Sequence, residues 1–367
     1  MKNVRVSGIC TRQKLKELPM AIWSYFLRSP IASLLAAIIV GGIIIQLNGY
    51  SALETYSALL KGAFSDWNKI VTTMTQMTPV MFTALAYTIG YRAGLINLGM
   101  EGQLIGGALA AAIAGYFVPA QFAFLGPLPA IVAAMLAGGF IAAIPAVLKR
   151  WLNSNEMLIS LMLNYVVDLF SIYMVNFVVK SSDNITPATS PVQPWAMLGK
   201  IVPNSQLSTG FLLAIVLTIL LWLFLYKTSA GFKLRATGIN KSAATFKGIQ
   251  SNRVAMYAFI MSGMIAGIGG AVQVLGVHNY FIQGMSPGYG WDGLSAALLG
   301  SCEPFGGVLG SLVFGAMRSG SIYLSRTTSI PSDFIYVIEG TLMIFVATPA
   351  LMRRLLKRNQ AKKQELE

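Results

Sequence analysis

Two carboxylates sit within stretches that are otherwise almost free of charge. Glu101 lies in Gly94–Gly107, GLINLGMEGQLIGG, with Asn97 four positions before it and glycines at 94, 99, 102, 106 and 107. Asp292 lies in Gly290-Trp291-Asp292-Gly293, which repeats the Gly-x-acid-Gly order of Gly99-Met100-Glu101-Gly102. A small-residue run follows each, GGALAAA and SAALLG. A carboxylate with apolar sequence on both sides is costly in lipid and marks a polar interior or pathway. Flanking glycines permit non-helical backbone or close helix approach, tolerated at membrane depth only against protein or a water-filled cavity. Paired broken segments in two halves of a membrane protein point to a central site. The pattern implies a solute pathway between two related halves.

Of the chain as a whole, 55% is apolar and 11% is charged, with 36 glycines in 367 residues. Apolar runs of about twenty residues recur throughout, which excludes a soluble domain and predicts an all-α polytopic membrane protein. The net charge of +14 would suit a nucleic-acid binder, but the charges lie between apolar spans, where the positive-inside rule accounts for them. No nucleic-acid partner is expected. Cys10 and Cys302 are the two cysteines, too few for a disulfide framework or a metal site.

The pattern predicts about ten transmembrane helices, with both termini cytoplasmic. Residues 1–28 are a basic N-terminal segment carrying Lys2, Arg5, Arg12, Lys14, Lys16 and Arg28 against Glu17. A single transmembrane domain covers 29–352, its halves about 30–179 and 210–352, and 353–367 is a basic tail. Spans are expected near 30–47, 70–91, 94–118, 128–148, 156–179, 210–226, 254–276, up to 301, 306–325 and 334–352. The Pro-rich 180–209 reads as an external loop between the halves, and 227–253, basic and without acid, as the largest internal loop.

Asn97 and Glu101, four apart, would share one face of a helix, as would Asn164 and Asp168. Glu101 reads either as a hydrogen-bonding group of the pathway or as a structural group that caps a half-helix or pairs with Arg92. Asp292 carries the same two readings. Trp291 beside it is either a stacking surface or an interfacial aromatic. Gln273 is a further pathway candidate, though one amide also serves simply to hold helices together. Glu156 with Asn155 falls at the cytoplasmic mouth, Arg318 and Glu339 suit an interhelical ion pair, and the lone His278 reads as external.

The chain lacks a G-x-x-x-x-G-K-[ST] phosphate loop, since Gly199-Lys200 is followed by Ile201. Its driving force is therefore either ATP hydrolysed by a partner or an ion gradient. In 231–249, GFKLRATGINKSAATFKGI, Asn240 suits the N-cap of a short helix through Lys247, with Gly248 just beyond its end. Such a helix fits a groove on a cytoplasmic partner. An ordinary basic loop drawn to anionic lipid is the other reading.

The strings RAGLINLGMEGQL, SNEMLISLMLNY, RATGINKSAATFKGI and ALLGSCEPFGGVLGS resemble permease subunits of bacterial ABC importers in the branched-chain amino acid, ribose and nucleoside group, nucleoside permeases above all. The resemblance covers roughly residues 30–350 in order. It implies two permease subunits on two ATPases, with the second permease either a different chain or a copy of this one. It also implies an extracytoplasmic substrate-binding lipoprotein, a small-molecule solute, and a place in the bacterial cytoplasmic membrane. ATP and Mg would bind the partner ATPase and no cofactor this chain. Residues 231–249 would be the coupling segment, with Gly238, Asn240, Ala243, Ala244, Gly248 and Ile249 at its recurrent positions. Glu303 departs from the group's pattern, and its turn is assigned no role. The implied function is nucleoside import. A simple-sugar permease such as one for ribose, and an ion-coupled secondary transporter using Glu101 and Asp292, are the alternatives. An intramembrane enzyme is disfavoured, because His278 has no Ser or Cys partner and no metal-ligand cluster is visible.

Overall fold

Helices account for nearly all regular structure in the computed structural model, which describes residues 30–181, 187–328 and 336–344. The N-terminal segment 1–28, the tail 353–367, residues 182–186 of the long loop and residues 345–352 of the last expected span lie outside the described residues. The chain divides into two compact units, Met1–Leu53 with Asp333–Glu367, and Glu54–Ser332. In the first, α1 (Pro30–Leu47) is apolar along its whole length, and 336–344 are helical.

The second unit holds the remaining elements. After α2 (Ala52–Phe64), Asp66 caps α3 (Trp67–Arg92) by accepting the Lys69 N–H at 3.0 Å. That bond holds the Asp66 carboxyl below its usual range. The segment 93–99 is irregular, so α4 (Met100–Phe117) starts six residues later than the apolar pattern suggests. Then come α5 (Leu128–Leu152) and α6 (Glu156–Tyr173), which runs on into a wide turn at Met174–Val178. Next are α7 (Gly210–Lys227), α8 (Ser229–Ile239), α9 (Lys241–Phe246) and α10 (Ser251–Gln273), also ending in a wide turn, Val274–His278. The unit closes with α11 (Tyr289–Leu299) and α12 (Pro304–Thr327).

Among the described residues four segments are long and apolar enough to cross a bilayer: Leu128–Leu152, Glu156–Val178, Gly210–Lys227 and Ser251–His278. At about 1.5 Å per residue each matches or nearly matches the roughly 30 Å hydrocarbon layer. Their outward faces are apolar where a soluble protein would be polar; Phe140 on α5 and Leu169 on α6, for example, are exposed. The chain is an all-α integral membrane protein. Among the described residues extended pairing is confined to isolated bridges, Lys180 with Thr189, Ala188 with Ile282 and Lys200 with Ser208.

Helix α10 sits at the centre, packed on α5, α4 and α3, while α3 also packs on α12 and α11. The contact is a glycine seam. A Cβ on Gly107 of α4 would lie 2.5 Å from the Gly267 Cα of α10, and one on Gly138 of α5 would lie 2.3 Å from the Gly263 carbonyl oxygen. Backbones this close leave no room for a side chain, which is how small residues stabilise helix pairs where lipid supplies no hydrophobic drive. Gly267→Val is expected to lose at least about 1–3 kcal/mol, because backbone rather than a flexible side chain meets the new atoms. A shift in the thermal inactivation of solubilised protein measures this, and an unshifted midpoint would show that the seam tolerates separation.

Two departures from the sequence reading stand out. The expected span ending near 301 is the 11-residue α11, about 16 Å long and too short to cross. The expected loop 227–253 is mostly helix, since α8 and α9 occupy it. The long loop, meanwhile, is pinned just beyond the C-terminal end of α10: Val192 N–H donates to the Asn279 carbonyl at 2.8 Å and Leu198 N–H to the Leu275 carbonyl at 2.8 Å. Val192, Leu275 and Phe281 are buried together there.

Candidate functional site

The two Gly-x-acid-Gly stretches meet. Glu101 lies in the first turn of α4 and Asp292 in the first turn of α11. Gly290 N–H donates to Glu101 Oε2 at 2.6 Å, and the Ser286 hydroxyl also bonds that carboxylate. A Cβ on Gly290 would lie 2.5 Å from the Glu101 amide nitrogen, so only glycine allows this approach. A helix N-terminus presents unpaired N–H groups and a partial positive charge, which a carboxylate satisfies. Glu101 thus caps the other half-helix, not its own. The pairing with Arg92 considered for it does not form, because Arg92 bonds Glu303.

Asp292 is buried against Arg318 of α12, whose Nε donates to Asp292 Oδ2 at 2.5 Å, the two side chains 5% and 7% exposed. Arg318 Nη2 also donates to the Pro287 carbonyl at 3.0 Å, holding the irregular approach to α11. That approach ends at Gly288, whose φ of +105° a side chain would strain. The guanidinium lies 5.3 Å from the centroid of the Tyr289 ring, and the Tyr289 hydroxyl donates to Gln76 Oε1 of α3 at 2.9 Å. Arg318 was expected to pair with Glu339; Asp292 is a partner that the sequence reading did not give it. Gln76, Ser286 and Tyr289 were also missed, each a single polar group in apolar or loop sequence with no pattern to mark it.

A second polar cluster repairs the break before α4. Asn97, fully buried, accepts the Gly99 N–H at 2.9 Å and donates to Gln103 Oε1 and Ser262 Oγ, each at 2.9 Å. Asn164 of α6 accepts the Gly102 N–H at 2.9 Å and donates to the Leu98 carbonyl at 2.8 Å. Ser160 Oγ accepts the Leu98 N–H at 3.3 Å. Non-helical backbone survives in a membrane protein only when its polar groups are satisfied in this way. Asn97 and Asn164 are therefore engaged with the chain itself. Of the remaining pathway candidates, Trp291 is half-buried beside Asp292, Asp168 is half-buried on α6 with no ion pair among the described residues, and buried Gln273 joins neither cluster.

On the far side of the break lies the segment 229–249. Asn240 Oδ1 accepts the Ala243 N–H at 3.0 Å and so caps α9, and Gly248 follows with φ +81°. Ala244 is buried and seats α9; Asn240, Ala243 and Gly248 are exposed and Ile249 is half-buried. Ile239 and Phe246 are 86% and 92% exposed, among Lys233, Lys241 and Lys247. A cleft of about 880 Å³, lined by Phe232, Ile239, Asn240, Ala243 and Lys247, opens between α8 and α9. Gly238 on α8 packs on the end of α3, where a Cβ would lie 2.2 Å from the Arg92 carbonyl oxygen. At the neighbouring corner Lys149 of α5 pairs with Glu156 of α6 at 3.0 Å. The Cys302 thiol is buried nearby and pushed up to about 12 by desolvation, so it stays protonated and unreactive.

Discontinuous helices meeting N-terminus to N-terminus inside an all-α membrane protein, together with a capped helix pair, define a solute-transport component. Residues 69–347 match the family model described as branched-chain amino acid transport system / permease component, and the chain belongs to that family. It is 30% identical over 338 residues to the guanosine ABC transporter permease protein NupP of Bacillus subtilis, covering 88% of this chain and 94% of that protein. It is 28% identical over 342 residues to the nucleoside ABC transporter permease protein NupB of Lactococcus lactis (90% and 93%). Against the glucose ABC transporter permease protein TsgB13 of Haloferax volcanii it is 26% identical over 336 residues (89% and 88%).

Proposed function

We propose that this chain is the membrane-spanning subunit of an ATP-driven nucleoside importer in a bacterial cytoplasmic membrane. The observation that carries the coupling half of this reading is the pair α8–α9, which presents Ile239 from the end of α8 and Phe246 from the capped α9 to solvent among lysines. An exposed apolar pair rimmed by charge suits a protein groove. The partner is an ATPase subunit, which holds the ATP and Mg. A second permease, the same or a different chain, and an extracytoplasmic binding lipoprotein complete the assembly.

The nucleoside assignment leans on the names of NupP and NupB. About ten spans in two halves, 30–179 and 210–352, with the irregular approach 279–288 and α11 together making one crossing and both termini cytoplasmic, are the arrangement that suits the basic clusters. The opposed half-helices α4 and α11 support related halves of opposite sense. Solute would pass near their meeting point, where Glu101, Trp291, Ser286 and Gln76 offer acceptors, donors and a ring to a neutral, hydroxyl-bearing molecule. Gln273 and Asp168 would line more distant parts of the path.

Uptake of labelled adenosine, guanosine, cytidine and ribose, in cells with and without this chain, tests the substrate class. Dependence for nucleosides and not ribose is the expected result. The glucose relative supports a sugar reading, and uptake of ribose alone would install it. For coupling, Phe246→Asp is expected to leave the chain in the membrane and to abolish co-purification of the ATPase. Normal co-purification would remove α9 from the interface. Ala244 is the poorer probe, since its burial makes any bulky substitution a packing defect.

A further inference from the structure

Glu303 caps α12 by position, but no side-chain cap bond forms there. Its two oxygens point elsewhere. Arg92, the last residue of α3, donates from Nη2 to Glu303 Oε1 and from Nε to the Cys302 carbonyl at 2.8 Å. Tyr226, one residue before the end of α7, donates its hydroxyl to Glu303 Oε2 at 2.5 Å. Ser301 and Cys302 both adopt left-handed backbone, φ +57° and +53°. Two successive non-glycine residues in that region are strained, and such strain is retained where surrounding contacts impose a geometry. Here it delivers the Cys302 carbonyl and the Glu303 carboxylate to Arg92 together.

The same two residues, Arg92 and Tyr226, hold α8. Arg235 of α8 stacks its guanidinium 4.7 Å from the Tyr226 ring centroid and donates from Nε to the Leu225 carbonyl at 3.0 Å. Gly238 of α8 lies against the Arg92 carbonyl. The corner itself is tight: Gly231 N–H donates to Thr228 Oγ1 at 3.0 Å, and a Cβ on Gly231 would lie 2.0 Å from the Phe224 carbonyl oxygen. Glu303 is therefore the point where the helix pair 229–246 joins α3 and α12. Helix α3 leads into the break before Glu101, and α12 carries Arg318.

We propose that Glu303 is a positioning residue for transport, a latch that passes movement of α8 and α9 to α3 and α12 through Tyr226 and Arg92. The proposal rests on the reading of α8–α9 as the ATPase-docking segment. The Glu303 and Arg92 side chains are 43% and 26% exposed. An ion pair so accessible adds little to stability, so its value lies in connecting three elements. The connection is contiguous through packed backbone and hydrogen bonds, the physical form that coupling between distant sites takes.

The experiment uses the assembled importer, with its ATPase and binding protein, in proteoliposomes. Solute taken up is measured per ATP hydrolysed, beside the apparent KM for solute. Glu303→Ala is expected to assemble normally, to keep the KM, and to lower uptake per ATP by about 2- to 30-fold, the usual range for coupling residues. Tyr226→Phe should give a smaller loss, and adding it to Glu303→Ala should cost nothing further, since both cut one connection. Glu303→Gln keeps an acceptor and should fall between. Unchanged uptake per ATP in Glu303→Ala would overturn the proposal, as would a loss matched by loss of assembled protein. Failure of the docking reading is read separately. Were Phe246→Asp to retain the ATPase, that reading would fall; were Phe246→Asp to lose it while Glu303→Ala stayed fully coupled, only the latch would.

Discussion

Arg318→Met is expected to remove most of the chain from the membrane, an effect of about 3–5 kcal/mol from leaving one member of a buried ion pair uncompensated. The two side chains are 7% and 5% exposed, so water cannot rescue Asp292. The guanidinium also holds the Pro287 carbonyl and lies over Tyr289, so its loss frees the approach to α11 as well. Asp292→Asn should be similarly severe, because a buried guanidinium remains. The double replacement Asp292→Asn with Arg318→Gln should recover much of the loss, as a neutral hydrogen-bonding pair no longer buries charge. Immunoblots of membranes and thermal inactivation of solubilised protein read the three variants. Normal accumulation of Arg318→Met would show that Asp292 faces water or solute, returning it to the pathway.

Asn164→Leu should be the next most damaging change. Its amide is the partner of two backbone groups at the break, the Gly102 N–H and the Leu98 carbonyl. Leucine, alike in branching but without polar atoms, leaves both unsatisfied, at about 1–3 kcal/mol apiece. Asp168→Leu, four residues along the same helix, is the matched comparison, since no cap or ion pair among the described residues depends on Asp168. The expected result is a large fall in thermal midpoint and faster deuterium uptake across 98–103 for Asn164→Leu, with little change for Asp168→Leu. Equal behaviour of the two would mean that the break finds other partners.

The broken helices were legible because Gly-x-acid-Gly is local: a charge among glycines in an apolar run announces itself, and both copies proved to be half-helix starts in contact. Helix α9 was equally readable from Asn240 and Gly248. Helix α8 was not, since Gly231 and Gly238 argue against helix on propensity, while their real purpose is close approach to α7 and α3. Partners distant in sequence were beyond reach. Arg92 meets Glu303 across 211 positions and Tyr289 meets Gln76 across 213, and no spacing rule links them. Asn97 and Asn164 were rightly singled out as unusual, but an isolated amide in an apolar span looks the same whether it serves solute or backbone. Glu303 failed for a related reason: it does not match the residue that the resemblance led one to expect there, so resemblance gave it no role.

The glycine seam bears on how such a chain can move. Helices separated by side chains can shear, each rotamer yielding a little as they slide. Gly107 on Gly267, Gly138 on Gly263 and Gly310 on the Ala296 carbonyl leave backbone against backbone, with no rotamers to yield. Helices α4, α5 and α10, and likewise α11 with α12, should consequently move as packed groups and not slide past one another. Opening and closing would then fall between these packed groups, at contacts made by side chains such as the Glu303 corner, and not along the seams themselves.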